Sequence, residues 1–274
     1  PVRRRACQRG RGCSNRAARD VPARGRTGRG QATTMAASAI SATAGSRPVD
    51  VRLYGLLDVG VCGADADHLG RLAADAVTGG ATLLQYREKD IPDARGALAR
   101  IRAIQAAVGG RVPVLVNDRV DLALAAGADG VHLGQSDLHP AEARRLLGEG
   151  AIIGLTIKTA AQADELYRLP VDYACIGGVF ATTSKDNPDP PVGLDGFARI
   201  AFRARLARGA SLPLGAIAGI GLHNAADVIG AGANGVAVIT ALFGAETERQ
   251  RAREVRAAID AALDAVAAAR AGAR

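Results

Sequence analysis

The chain lacks any apolar run of about 18 residues, the length a helical membrane span requires, so a single-helix crossing is excluded on length. Cysteine is scarce. Cys7, Cys13, Cys62 and Cys175 show no paired ligand spacing, which argues against a structural zinc site or a disulfide framework and for a reducing, cytoplasmic compartment. Aromatics are few, with four Phe, four Tyr and no Trp, so there are few faces on which nucleic-acid bases could stack. Acids are nearly missing from the first 34 positions, which hold ten arginines against Asp20 alone. That segment carries a surplus of +9 in a chain whose net charge is +8, and the remainder stands near −1. The basic balance belongs to the N-terminal segment, and the rest gives no electrostatic reason to expect a nucleic-acid partner.

Residues 1–48 are Arg/Gly/Ala-rich with almost no large apolar side chains, too few to bury a core, and are expected to form a disordered extension. The only methionine is Met35 and the sequence opens at Pro1, so this segment reads as an upstream extension. The alternatives are a transit peptide or an arm for RNA or a membrane surface. Residues 49–274 are expected to form one catalytic domain.

From residue 51 onward, strand and helix patterns alternate. Short apolar strands are expected at 52–57, 82–86, 113–116, 130–133, 152–155, 173–176, 214–217 and 235–239. Helices are expected at 68–77, 93–108, 120–126, 140–147, 160–168, 195–207, 224–229 and 247–269. Strands apolar on both faces and separated by helices indicate a parallel sheet covered by helices. Eight such units in roughly 225 residues fit a closed (β/α)₈ TIM barrel, whose usual size is about 250. An open doubly wound sheet is the competing fold, but no G-x-G-x-x-G follows the first strand.

In a barrel the chemistry belongs to the loops after the strand C-termini, and the polar residues lie there. Segment 114–138 is a βαβ unit that brings Asn117-Asp118 and Gln135-x-Asp137 to one rim. Two carboxylates with few His or Cys neighbours suit a hard cation such as Mg²⁺ that keeps waters and takes substrate phosphates as ligands. The structural alternative makes Asp118 a helix N-cap and Asp137 a turn residue. After the second strand, Gln85, Arg87 and Lys89 alternate onto one face and suit an anionic, pyrophosphate-bearing ligand. The competing reading is a solvated charge run paired with Glu88 and Asp90. Thr156 follows the fifth strand. A long loop after the sixth carries Thr182, Thr183, Ser184 and Lys185, three hydroxyls beside an ammonium. Ala218-Gly219-Ile220-Gly221 after the seventh strand, and Ile239-Thr240 before a helical turn at 241–244, resemble the phosphate site that many barrels build there.

The segments QYREKD, VNDRVDLALAAGADGVHLGQSDL, IGLT, DYACIGGVFATTSKDNPDPPVGLDG and AIAGIGLHNAADVIGAGANGVAVITAL resemble, in order and spacing, the thiamine phosphate synthase (thiamine-phosphate pyrophosphorylase) family across about residues 50–245. The resemblance implies a transferase that couples hydroxymethylpyrimidine pyrophosphate with hydroxyethylthiazole phosphate, using Mg²⁺, to give thiamine phosphate and pyrophosphate. It implies that Gln85, Arg87, Lys89, Asn117, Thr156 and Lys185 hold the pyrimidine pyrophosphate, with Arg87, Lys89 and Lys185 as the catalytic cations. It assigns Asp118 and Asp137 to the metal, and Thr182, Thr183, Ser184, Gly219, Ile239 and Thr240 to the thiazole phosphate.

The chain departs from the family pattern at Ala218, where a glycine is expected, at Cys175 and Gly178 in place of glycine and proline, and at Thr156 and Thr240 in place of serines. Lys158 stands where a histidine is common. Thiazole tautomerases share the barrel but would need an acid/base group such as that histidine, and a non-catalytic phosphate-ligand protein is the other alternative. His132 reads as a structural hydrogen-bonding residue and His68 as an ordinary residue near a helix start. A homo-oligomer is compatible with the sequence, which specifies no oligomeric state.

Overall fold

The computed structural model describes residues 49–182, 190–244 and 248–272. The extension expected over 1–48 lies outside them, as do Thr183, Ser184 and Lys185. Eight parallel strands close in sequence order into a barrel. They are β1 (Leu53–Asp58), β2 (Leu83–Arg87), β3 (Val114–Asn117), β4 (Gly130–Leu133), β5 (Ile152–Ile157), β6 (Tyr173–Ile176), β7 (Leu214–Ile217) and β8 (Gly235–Val238). The helices are α1 (Val59–Cys62), α2 (Ala66–Thr78), α3 (Ala94–Val108), α4 (Val120–Ala126), α5 (Pro140–Leu147), α6 (Ala160–Glu165), α7 (Gly193–Arg208), α8 (Ala225–Gly230), α9 (Thr240–Phe243) and α10 (Glu248–Gly272). A 3-10 turn, Leu166–Arg168, extends α6. The TIM-barrel expectation holds, and the eight strands fall within one to two residues of their expected ends.

Local signals place the helices. Asp65 accepts from the His68 N–H at 2.7 Å and starts α2, whose Leu69, Leu72, Ala73 and Ala76 turn inward. Thr159 and Gln162 form a reciprocal capping box on α6. Side chains between sheet and helices form the larger core, and Tyr54, Leu56, Leu83, Leu115, Tyr173, Cys175 and Ala237 form a second cluster inside the barrel. Burying each large aliphatic side chain contributes roughly 1.5–3 kcal/mol.

The N-terminal rim is stitched by a repeated device. The residue just before each even strand sends its own N–H to a carbonyl of the preceding odd strand and takes that residue's N–H on its side chain. Thr82 does so with Leu53 (2.9 and 3.1 Å), Asp129 with Val114 (3.1 and 2.7 Å), Asp172 with Ile153 (2.8 and 2.7 Å) and Asn234 with Leu214 (2.7 and 2.9 Å). These reciprocal bonds satisfy strand-end backbone groups that a barrel rim would leave to solvent. The opposite rim keeps its polar residues for other work.

Candidate active site

A cavity of about 980 Å³ opens at the C-terminal ends of the strands. On one side stand Gln85, Arg87, Asn117, His132, Thr156 and Lys158, and on the other Gly219, Ile220, Val238, Ile239 and Thr240. Ala181 and Thr182 line it between them, and Arg251, Glu254 and Val255 of α10 also reach it.

Strand alternation carries Gln85 and Arg87 to the interior, both buried at the end of β2. Arg87 Nη1 donates to Asp58 Oδ2 in a buried ion pair, while Asp58 Oδ1 accepts from the Gly60 N–H at 2.9 Å and caps α1. Asp58 was not among the residues expected here. The same alternation that picks out Gln85 and Arg87 puts Tyr54, Leu56 and Asp58 on one face of β1, but the strand was expected to end at 57. The charge run after β2 does not pair with itself. Arg100 of α3 donates to the Glu88 carboxylate at 2.8 Å and to the Tyr86 hydroxyl at 3.0 Å. Lys89 lies beyond the strand end, exposed and outside the cavity lining. The expected three-residue face therefore ends at Arg87, because β2 stops there.

Asp118 sits at φ 60, a left-handed conformation unusual for a non-glycine residue, and accepts from Asn117 Nδ2 at 2.7 Å. It does not cap a helix: the N-cap of α4 is Arg119, which makes no side-chain capping bond. Asp137 Oδ2 accepts the Gly134 N–H at 2.7 Å, so the turn reading holds for it. Both carboxylates follow adjacent strands on the same rim, though neither lines the cavity itself. Among the described residues no cluster of three or more His, Cys, Asp or Glu could hold a metal. Two hard oxygen donors with no soft ligands fit a hydrated cation that borrows phosphate oxygens, and do not fit zinc.

Thr156 lies within β5, not after it, because the strand runs on to Ile157. Its hydroxyl is 2.7 Å from His132 Nε2, and His132 Nδ1 is 2.8 Å from the Tyr173 hydroxyl. Tyr173 and Tyr54 hydroxyls are 2.9 Å apart, and Gln85 Nε2 donates to the Tyr54 hydroxyl. Burial raises both tyrosines well above their ordinary range. Gly154 makes room for this network, since a methyl there would sit 2.2 Å from the Tyr173 ring. Lys158 follows β5, lines the cavity, and donates its backbone N–H to Gln162 Oε1 at 2.7 Å.

Across the cavity the 218–221 loop is fixed by Asn224, whose Nδ2 donates to the Gly219 carbonyl at 3.0 Å and whose Oδ1 accepts from the Gly221 N–H at 2.9 Å. Gly219 has φ 66, and a Cβ there would lie 2.4 Å from the Ala181 carbonyl. Ala218 has φ 93 despite its methyl group. The helical turn after β8 is α9, only four residues long, too short to supply a useful dipole. Backbone N–H groups and the Thr240 hydroxyl can hold an anion on this side of the cavity, which His223 and Arg251 also line. Asn224 carried a legible signal, an Asx residue just after a glycine loop, that sequence reasoning passed over.

The sequence model of the thiamine monophosphate synthase family matches residues 53–242. A thiamine-phosphate synthase of Agrobacterium fabrum is 52% identical over 219 residues, which cover 79% of this chain and 97% of that protein. One from Anaeromyxobacter dehalogenans is 44% identical, covering 83% of this chain and 96% of its own. A solved thiamine phosphate pyrophosphorylase from Pyrococcus furiosus superposes with a TM-score of 0.67 at 29% identity, over 79% of this chain and 98% of that one. With its barrel closed and Gln85, Arg87, Asn117, Thr156, Gly219, Ile239 and Thr240 lining one cavity, this chain belongs to the thiamine monophosphate synthase family, whose members are transferases of thiamine biosynthesis.

Proposed function

We propose that the chain couples hydroxymethylpyrimidine pyrophosphate to hydroxyethylthiazole phosphate, giving thiamine phosphate and pyrophosphate. The observation that carries this reading is the cavity at the C-terminal ends of the strands, whose two walls differ in chemistry. One wall offers an amide, a guanidinium and an ammonium from Gln85, Arg87 and Lys158, and the other a glycine loop and the Thr240 hydroxyl. Two phosphorylated ligands placed side by side suit such walls.

Gln85, Asn117 and Thr156 would orient the pyrimidine, and Arg87, Lys89 and Lys185 would draw charge from the pyrophosphate as its C–O bond breaks. Lys158 adds a cation on the same wall. Gly219, Ile239 and Thr240, with Thr182, Thr183 and Ser184, would hold the thiazole phosphate so that the ring nitrogen faces the electrophilic carbon. That nitrogen bears no proton, so no general base is needed. Asp118 and Asp137 would hold Mg²⁺, which when bound supplies Lewis-acid neutralisation of the leaving group. The near-neutral barrel, the buried Cys62 and Cys175 thiols, and the absence among the described residues of a helix able to cross a membrane accord with a cytoplasmic enzyme of small molecules.

The test is an assay of the full chain with both substrates, with and without Mg²⁺, following thiamine phosphate and pyrophosphate. Product that requires Mg²⁺ and falls at least about a hundredfold in folded Asp118→Ala and Lys185→Ala proteins is expected. A folded, Mg²⁺-supplied protein that makes no product would overturn the synthase reading and favour a tautomerase or a phosphate-ligand binder.

A further inference from the structure

Five side chains from five strands form one hydrogen-bonded chain through the barrel interior. It runs from Gln85 (β2) through Tyr54 (β1), Tyr173 (β6) and His132 (β4) to Thr156 (β5). Its two ends line the cavity, while Tyr54 and Tyr173 lie behind, 1% and 0% exposed. The Gln85 Oε1 atom is buried and has no hydrogen-bond partner, at a site whose cost without a ligand is substantial.

A linear chain of this kind has few proton orders. Each hydroxyl carries one proton, and a neutral imidazole carries one on either nitrogen. With the Gln85 amide nitrogen donating to Tyr54, every interior proton finds an acceptor only if Tyr54 donates to Tyr173, Tyr173 to His132 Nδ1, and His132 Nε2–H to Thr156. The Thr156 proton then remains for the cavity, and Gln85 presents its carbonyl oxygen. The other complete order reverses every bond and requires the Gln85 amide to turn over. It leaves an N–H at Gln85 and a lone pair at Thr156. Mixed orders strand a proton or bring two together in a buried site, which costs more than either.

We infer that Tyr54, Tyr173 and His132 are positioning residues that hold Gln85 and Thr156 in antiphase, so that the cavity always offers a ligand one acceptor and one donor. With the Gln85 amide nitrogen turned to Tyr54, the acceptor is at Gln85 and the donor at Thr156. That pair suits a heteroaromatic bearing an exocyclic amine and a basic ring nitrogen. A ligand offering acceptors to both ends is refused, because Gln85 cannot turn without reversing Thr156. The inference rests on the reading of this wall as the aminopyrimidine site, and it adds a reason for selectivity that lies behind the contact residues.

The test is calorimetric binding, with Mg²⁺, of two ligands to the full chain: the aminopyrimidine pyrophosphate and its analogue with methoxy in place of the amine. The wild-type protein is expected to prefer the amine by about tenfold or more. Tyr173→Phe breaks the chain at its centre, lets Gln85 turn independently, and is expected to narrow the preference to within about threefold. Affinity for thiazole phosphate is expected to stay unchanged. A variant that binds both pyrimidines more weakly by the same factor, keeping the wild-type preference, would overturn the inference, since that is what a purely structural tyrosine does. Should Tyr173→Phe melt early, Tyr54→Phe carries the same expectation. Wild-type protein that binds the amine ligand but makes no thiamine phosphate sinks the synthase reading alone, while wild-type protein that binds neither pyrimidine sinks both.

Discussion

Neighbouring residues Ala218 and Gly219 both adopt positive φ, at 93 and 66, but only one of them is a glycine. An L side chain in this region costs about 1–2 kcal/mol, partly offset in a glycine variant by its greater freedom when unfolded. Ala218→Gly is therefore expected to raise stability by roughly 0.5–1 kcal/mol in chemical denaturation, and a loss would show that the methyl makes a compensating contact. Gly219→Ala is expected to cost more than about 2 kcal/mol, since its methyl would press on the Ala181 carbonyl. Asp58→Asn leaves the buried Arg87 guanidinium without its charge partner and is expected to cost about 3 kcal/mol. A loss below about 1 kcal/mol would mean that Arg87 already has another acceptor. Cys175, inside the barrel, has its thiol pushed up to about 12 by burial. It should stay unmodified by iodoacetamide at about pH 8, where a free cysteine is partly thiolate. Peptide mapping of treated native protein checks this, and rapid labelling would reveal opening of the barrel interior.

Elements were legible where the apolar pattern runs unbroken, and least legible at the strand ends that carry function. β1, β2 and β5 each run past their expected ends, through Asp58, Arg87 and Ile157, because a charged or hydroxyl residue interrupts the apolar run while the backbone continues its ladder. The consequence for the site is direct: Asp58 was missed, and Thr156 was expected in a loop. The four-residue helices fared unevenly for a related reason. A single turn has no periodicity to read, so α1 was not expected at all, and the turn after β8 was placed one residue late. The candidate metal residues illustrate a different limit. A sequence cannot separate an aspartate that caps from one that does not, and only the geometry shows Arg119, not Asp118, at the start of α4.

At the scale of the molecule, barrel closure was legible because eight apolar strands with helices between them leave few arrangements that cover both faces. The gathering of distant residues into one cavity follows from that closure, since parallel strands deliver all their C-termini to one rim. What no local pattern announced was the ring of stitches on the other rim, where Thr82, Asp129, Asp172 and Asn234 each tie an even strand to the odd strand before it. The residues leading into β3, β5 and β7 are Pro113, Ala151 and Pro213, whose side chains have no acceptor to offer. The barrel is thus assembled from four two-strand quarters with firm joints inside each and plainer seams between them. A short Gly/Ser insertion after Gly110 or Ala210, exposed positions at seams, is expected to lower the melting temperature by only a few degrees. The same insertion after Ala128 or Ala233 should cost far more, and equal losses at all four places would dissolve the distinction. Quarters that hold together internally can be lengthened, exchanged or duplicated at their seams, so the plain rim marks where this protein could be taken apart and rebuilt without touching the face that does its chemistry.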